Sequence, residues 1–546
     1  MRLSRSMLLF VALLLVVTLA CSLSGEGPPG DAIVIDVVAN TSLNPWLEGA
    51  VAAFNEQELE TEAGDPVWVM LVATDAGQAV LDFQEVPAPD LWIPDSQVWV
   101  NVLAEEGVAG FQGQCTSVAE SPLVIAMWRP LAETLGWPSR DLGWLDIGSL
   151  AADPGAWAYY SGGRFGDVLR LGHTHPGLSG TGASTLLALV QAAESQQAAV
   201  GVEAIQQPIV QASVGAFEGA VSWFSSSTGD LARTMRERGT GFLGAAVMYE
   251  SDVIQYGQGD PALIPVYPFE GTFVADHPAC INGDAPAAAR EAAAVFRDYL
   301  RGEEGQQLAL AAGLRPVNDA VPAGPPLDES NGVDLEQPQL VFAPPTADTL
   351  FAVQELWQSA RKDVNMVMLL DVSGSMSGSK IDSMRSAAVQ FVEQMGDEDY
   401  LTIIPFSYEP VSLVKYQQVG ENREEIIRAI RALEAEGDTA LYDAIGEGAT
   451  LLENTTRSDT TNALVVLTDG LDTYSYVYNQ DSALSAAARS GATVFTIAYG
   501  SDADEELLEN LAFRANGNYF RGDEASIAAI YDEMSAAFGG SVGVGR

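Results

Sequence analysis

A chain of 546 residues, 47% of them hydrophobic, is too long for one ordinary core and too apolar for wholesale disorder, so two or three domains are expected. The formal charge is −48, and lysine occurs only at Lys362, Lys380 and Lys415. Neither half offers a basic patch, which excludes nucleic acid and anionic membrane surfaces as partners; acidity of this kind reads as solubility.

At the N-terminus Arg2 and Arg5 precede an apolar run from Met7 to Leu19, followed by Ala20 and Cys21. That is the order of an export signal, too short to span a bilayer comfortably. The ending "LAC" resembles a bacterial lipoprotein cleavage box, with Thr18 where the box usually carries leucine. The resemblance implies a signal peptide over 1–21, lipidation of Cys21 and a flexible tether over 22–30; an uncleaved anchor is the alternative. The expected location is then extracytoplasmic, on a bacterial cell envelope, with membrane contact through the lipid alone. With Cys21 so assigned, Cys115 and Cys280 remain, as a disulfide of an exported chain or as two buried thiols.

From 31 to 320, strand-like runs ("AIVIDVVA", "VWVMLVAT", "PLVIAMW") alternate with helix-like ones ("WLEGAVAAFNEQ", "ASTLLALVQAAESQQ"). This alternation predicts an α/β fold with a largely parallel sheet. Within it, Ser179-Gly180-Thr181-Gly182 precedes a helical pattern starting near Ala183. Small residues there leave the first helical N–H groups open as an oxyanion receptor, or the two hydroxyls cap the helix. His173 and His175 invite a metal reading, but a third nitrogen could come only from His277, and "GHTHPG" reads more plainly as a loop.

In order, "ANTSLNPWLEGAVAAFNEQ", "PDLWIPDSQVWV", "ESPLVIAMWRP", "GHTHPGLSGTGASTLLALVQ", "MYESDVIQYGQG" and "VYPFEGTFVADHPA" resemble segments of extracellular solute-binding proteins of bacterial transporters, the two-lobed type II class. The resemblance implies two lobes closing on a small solute. It places Ser42, Asp95, Ser96 and Ser121 in cleft-lining loops beside Ser179, Gly180 and Thr181. Glu250 either joins the ligand set or caps a turn.

Residues 321–363 are a proline- and acid-rich connection ending in the amphipathic helix "TADTLFAVQELWQSARK", suited to packing back on the first module. A second α/β series covers 364–538, with strands "VNMVMLL", "YLTIIPF", "ALVVLTD" and "ATVFTIAYG", and 539–546 form a tail. "DVSGS", from Asp371 to Ser375, ends the first of these strands and precedes a helix, the edge where open α/β sheets take ligands. Its glycine spacing fits neither a phosphate loop nor a dinucleotide fingerprint, and an EF-hand would need a helix before it. A carboxylate and two hydroxyls at alternate residues suit a hard, octahedral cation. "GDTALYDAIGEG" and "ALVVLTDG" offer further oxygens.

Those three stretches, in that order, resemble a von Willebrand factor type A domain with its metal-ion-dependent adhesion site. The resemblance implies metal ligation by Asp371, Ser373, Ser375, Thr439 and Asp469, with Mg2+ as the ion and Mn2+ or Ca2+ as alternatives. A protein partner would supply a further carboxylate. Asp438 and Asp472 read as solvated loop acids, and "RGD" at 521–523 as a strand-to-helix turn.

The expected fold is therefore a two-lobed periplasmic-binding-protein-like module followed by a Rossmann-like sheet flanked by helices. The expected function is an exported, lipid-anchored binding protein that joins a receptor for an unknown small-molecule solute to a Mg2+-dependent adhesion module. The alternative is the substrate-binding subunit of an ABC importer, with an ABC permease as partner. No nucleophile, elbow or Ser-His-Asp ordering points to an enzyme.

Overall fold

The run "IVIDVVA" buries Ile35, Val37 and Ala39 at alternate positions, the period of a half-covered strand. It opens a computed structural model that describes residues 27–113, 115–194, 199–457, 460–541 and 543–544. The export signal, Cys21 and most of the tether lie outside them. Among the described residues no helix is long and apolar enough to cross a membrane. The chain forms two compact units whose main boundary falls between Ala360 and Arg361.

The first unit begins with β1 (Ile33–Ala39), β2 (Val67–Ala73), β3 (Leu91–Ile93) and β4 (Cys115–Ser117), then passes into a second lobe. That lobe contains β5 (Ser121–Trp128), β6 (Leu171–Thr174), β7 (Val221–Ser225), β8 (Ala245–Tyr249), β9 (Leu263–Val266) and β10 (Val274–Ala275). The chain then returns to the first sheet as β11 (Pro278–Ile281). The sheet orders are β2-β1-β3-β11-β4 and β10-β5-β8-β6-β7, with β9 beside β5. Both sheets are mixed: β1 runs parallel to β2 and β3, and β6 parallel to β8, whereas β11 and β5 pair antiparallel. Helices with apolar stripes cover the first sheet, among them Asn44–Glu56 and Ala287–Arg301.

Two short crossings, 118–120 and 276–277, join the lobes and hydrogen-bond to each other through Val118 N–H and the His277 carbonyl. Beside them Cys115 and Cys280 face one another in register and form a disulfide. It closes a stretch with a sequence separation of 165 that includes the whole second lobe. By the chain-entropy account such a bridge stabilises by about 3–5 kcal/mol. Replacing both cysteines with serine is expected to lower the apparent melting temperature by several degrees or more in differential scanning calorimetry.

The proline- and acid-rich connection is docked rather than free. Thr272 bridges to Val341, Phe342 packs edge-on against Phe273, and Leu327 and Val333 share a small core with Ile254. Helix Ala347–Ala360 also belongs to the first unit. Its Ala347, Leu350 and Phe351 join a core with Trp92, Val98 and Leu103 of the first lobe. Gln354 and Trp357 donate to the Pro176 carbonyl and to Glu218 in the second lobe.

The second unit is one sheet, β14-β13-β12-β15-β16-β17, built from β12 (Asp363–Asp371), β13 (Tyr400–Phe406), β14 (Val414–Gln418), β15 (Thr460–Thr468), β16 (Thr493–Tyr499) and β17 (Tyr519–Gly522). All neighbours are parallel except β13 with β14. From Val364 onward every residue of β12 is buried, as expected for a central strand covered on both faces. Helix Leu441–Thr455 buries Leu441, Ala444, Ile445, Gly448, Ala449 and Leu452, a stripe of helical period, against one face. Helices Ser379–Gln394 and Ile527–Ala537 pack together elsewhere in this unit.

Candidate functional sites

In the second unit β12 leads through helix Ser379–Gln394 to β13 on one side, while β15 leads to β16 on the other. The sheet order therefore reverses between β12 and β15, and a crevice opens at their carboxyl ends. Leu370 sits beside Leu467 in register, which sets Asp371 next to Thr468. Asp371 is wholly buried; one carboxylate oxygen accepts Ser373 N–H at 2.8 Å and the other accepts the Thr468 hydroxyl at 2.5 Å. Burial raises its pKa against these donors, and the Asp469 charge adds to the rise.

The hydroxyls follow from there. Ser373 Oγ lies 3.0 Å from Ser375 Oγ, which donates to Asp469 Oδ1 at 2.7 Å. Thr439 arrives on a different loop, tied in by Gly374 N–H to the Gly437 carbonyl at 3.0 Å. Its carbonyl accepts from Thr473 and Tyr474, and its Oγ1 lies 3.7 Å from where a Cβ on Gly470 would sit. The structure thus brings the three predicted loops to one edge, with Asp371, Ser373, Ser375, Thr439 and Asp469 on them.

Three contributors escaped the sequence reading. Thr468 fixes Asp371. Lys380 places its ammonium 2.6 Å from Asp469 Oδ2. Asp443, in the quoted "TALYDA", accepts the N–H groups of Tyr476, Val477 and Tyr478 and so shapes the third loop. Around the rim Tyr408, Leu471, Tyr476 and Val477 are exposed, and Tyr474 bridges Tyr408 and Tyr476 edge-on.

The donor set is all oxygen. Two carboxylates and three hydroxyls suit Mg2+, and Lys380 shows that Asp469 attracts positive charge. Among the described residues no group of three or more His, Cys, Asp or Glu is placed to hold a metal. Hydroxyls make up most of this set, three oxygens of five residues.

In the first unit the carboxyl ends of the parallel strands of both lobes face each other. After β1, β2 and β3 come Thr41, Asp75 and Asp95; after β6, β7 and β8 come Ser179 to Thr181, Thr228 and Tyr249 to Asp252. Thr41 donates to Asp75, which also accepts Thr228 N–H at 3.1 Å and its hydroxyl at 3.2 Å. Thr181 Oγ1 lies 2.7 Å from Thr174, 3.1 Å from Ser179 and 2.8 Å from Thr228. Tyr249 donates to Asp95 Oδ2 at 2.7 Å, and Asp252 Oδ2 accepts Tyr249 N–H. The lobes are closed directly on one another.

The other predicted residues fall into different places. Ser42 donates to Asn40 beside the first helix, and Ser96 is the half-buried residue before helix Gln97–Glu105, with no capping bond. Ser121 bonds Ser251, joining β5 to the helix after β8. Glu250 is held in a bidentate pair by Arg315 and receives the Tyr267 hydroxyl. Its charge is therefore matched within the chain. His173 lies in β6, not a loop; it contacts Glu218 and the Thr174 carbonyl, while His175 accepts from Gly177 N–H.

Burial pushes Asp95 from its ordinary 3.8 up to about 7 and Asp252 up to about 8, with the Asp75 charge adding to both. Asp75 is also raised by burial. A carboxyl raised on folding favours its protonated form there. The stability it contributes is complete below about pH 4 and is lost as pH climbs through 7 and 8. Calorimetry from pH 5 to pH 9 is expected to show the first unit melting progressively lower, and Asp95→Asn to flatten that slope. The Asp95 part is bounded by roughly 4 kcal/mol.

Comparison with known proteins adds the following. Residues 35–315 match the family model "Bacterial extracellular solute-binding protein", and 365–533 match "von Willebrand factor type A domain". Among curated proteins, the uncharacterized protein sll0103 of Synechocystis is 29% identical over 161 residues, 29% of this chain and 37% of that protein. Human inter-alpha-trypsin inhibitor heavy chain H3 is 25% identical over 28% of this chain and 18% of its own length. These matches span well under half of either relative. Among solved structures, the periplasmic binding protein AfuA of Actinobacillus pleuropneumoniae covers 60% of this chain and 96% of its own, with 16% identity and a TM-score of 0.42. The sulfate-binding protein SubI of Mycobacterium tuberculosis covers 53% and 92%, with 19% identity and a TM-score of 0.40. With its first unit matched over 35–315, the chain belongs to the bacterial extracellular solute-binding protein family and carries a von Willebrand factor type A domain behind that module.

Proposed function

We propose that the protein is an exported, lipid-anchored binding protein whose first unit receives a small solute and whose second unit adheres to a protein partner through Mg2+. The observation that carries this reading is the meeting of Asp371 and Ser375 of one loop with Asp469 of another at the carboxyl edge of one sheet, with Asp371 buried and Asp469 held against an ammonium. Ser373, Ser375 and Thr439 would offer hydroxyl oxygens to the ion, Asp469 a carboxylate, and Asp371 would act from behind, its oxygens fixed by Ser373 and Thr468. When bound, Mg2+ supplies an electrophilic position for a carboxylate of the partner. The exposed Tyr408, Tyr476, Leu471 and Val477 suit the rest of that contact, since aromatic and apolar side chains anchor protein interfaces.

Isothermal titration of the full chain with MgCl2 is expected to give one saturable site that EDTA-treated, Mg2+-free buffer restores to the empty state. An absence of heat and of thermal stabilisation by both Mg2+ and Mn2+ would remove the adhesive role. Export and anchoring are tested by Cys21→Ser, which should move the protein from the membrane to the soluble fraction of a bacterial host. The importer reading draws support from the larger share of the chain given to the receptor module. It predicts co-purification with an ABC permease from membranes.

A further inference from the structure

Helix Gly180–Glu194 starts at the carboxyl edge of the second lobe, and a helix N-terminus there is where an anionic solute would be expected. That position is already taken. A Cβ built on Gly180 would fall 1.6 Å from Asp95 Oδ2, so the chain's own carboxylate lies against the first turn. Asp75 acts electrostatically on both Asp95 and Asp252, and after burial the largest influences on these three groups come from carboxyls, hydroxyls and N–H donors.

A second observation comes from the crossing between the lobes. His277 sits there with a backbone φ of 36°, in the left-handed region that non-glycine residues rarely adopt. Its ring is wholly buried, edge-on to Tyr249 at 5.7 Å, and the Pro94 carbonyl is the one hydrogen-bond influence on it. Burial pushes it down to about 3, so the imidazole is neutral and adds no positive charge. Asp252 Oδ1 is buried without a donor, and Asp95 Oδ1 has none beyond the N–H of its own residue. A buried polar atom left in this state is costly, so the site is incomplete in the chain alone.

We infer that the solute is an organic cation bearing primary or secondary ammonium groups, received by Asp95, Asp252 and His277 with Asp75 behind them. This rests on the solute-receptor reading of the first unit. The carboxyl oxygens of Asp95 and Asp252, ionised against a bound cation, accept from N–H donors, which a quaternary ammonium lacks. Opening of the lobes would free Asp95 from Tyr249, and an ammonium group would then bridge it to the facing carboxyl on reclosure.

The test is calorimetric titration of the full chain with putrescine, spermidine, choline, sulfate, phosphate and glucose. Salt near 0.15 M screens the acidic surface. Putrescine or spermidine is expected to bind, choline to bind at least tenfold more weakly, and sulfate and phosphate to give no heat. Asp95→Asn and Asp252→Asn, shown folded by an unchanged circular dichroism spectrum, should each weaken amine binding at least tenfold. Silence from both amines overturns the inference, as does amine binding that Asp95→Asn leaves unchanged, which would place it on the surface. Binding of sulfate, phosphate or glucose in place of amines overturns it too while leaving the receptor reading standing.

Discussion

Asp371→Ala is expected to reduce Mg2+ affinity at least 100-fold, a loss of roughly 3 kcal/mol. The side chain is not exposed, so the loss would arise from the support it gives the loop that carries the hydroxyls. Without it Ser373 N–H and the Thr468 hydroxyl lose their acceptor, and the loop that aims Ser373 and Ser375 is released. Ser375→Ala makes a milder companion: it keeps those anchors and removes one hydroxyl, so a loss near tenfold is expected. Lys380→Met should act in the opposite sense. Its ammonium occupies Asp469 Oδ2 at 2.6 Å, and taking it away leaves that oxygen to the ion. Affinity should rise severalfold, with a shallower dependence on salt because a partly exposed competing charge is gone. Titration calorimetry of the three variants checks the set. Equal affinities for Asp371→Ala and the parent chain would refute the site.

The metal-site residues were legible because their signal is local. A buried strand that ends in Asp-x-Ser-x-Ser fixes three side chains within five residues, and "LTDG" repeats the strand-end pattern on a neighbour. What supports them is not local. Thr468 reaches Asp371 only because β12 and β15 are adjacent in register, and Lys380 reaches Asp469 across 89 positions. The cleft shows the same division. Asp95 stands out at a strand end, and Asp75, in "VATDAG", carries the same signal one strand earlier without being singled out. Glu250 looked like a cleft acid because its partner Arg315 lies 65 residues on. In the proline- and acid-rich connection, the sparse apolar residues over 321–346 show no period, so nothing local marks which of them are buried. Yet Leu327, Val333 and Phe342 are each buried, and single well-placed side chains suffice to dock a chain that forms almost no regular structure. Helix Ala347–Ala360, by contrast, announced its packing face through its own periodicity.

Gly77→Ala is expected to separate lobe closure from solute contact. Gly77 lies in the first turn of helix Ala76–Glu85, where alanine is intrinsically better than glycine by up to about 1 kcal/mol. The first lobe alone should tolerate it. In the closed arrangement, however, an added Cβ would lie 2.4 Å from the Gly177 carbonyl oxygen and 2.8 Å from the Leu178 carbonyl carbon. These are backbone atoms of the loop that leads into Ser179 and Thr181, so the clash cannot be relieved by turning a side chain. The adjacent Gln78 N–H, which donates to the Leu178 carbonyl at 3.0 Å, would be carried away with it. Three amides therefore report the outcome: Gln78, Thr228 bonded to Asp75, and Gly229 bonded to Thr41. Hydrogen exchange at these positions should accelerate at least tenfold in Gly77→Ala, while amides in β1 and β8 keep their protection. Gly49→Ala is the control, since a Cβ there meets nothing within 4 Å. If Gln78, Thr228 and Gly229 exchange at the parent rate in both variants, the lobes do not depend on this close approach. Closure would then have to be sought in the hydrogen bonds from Tyr249, Thr228 and Gly229.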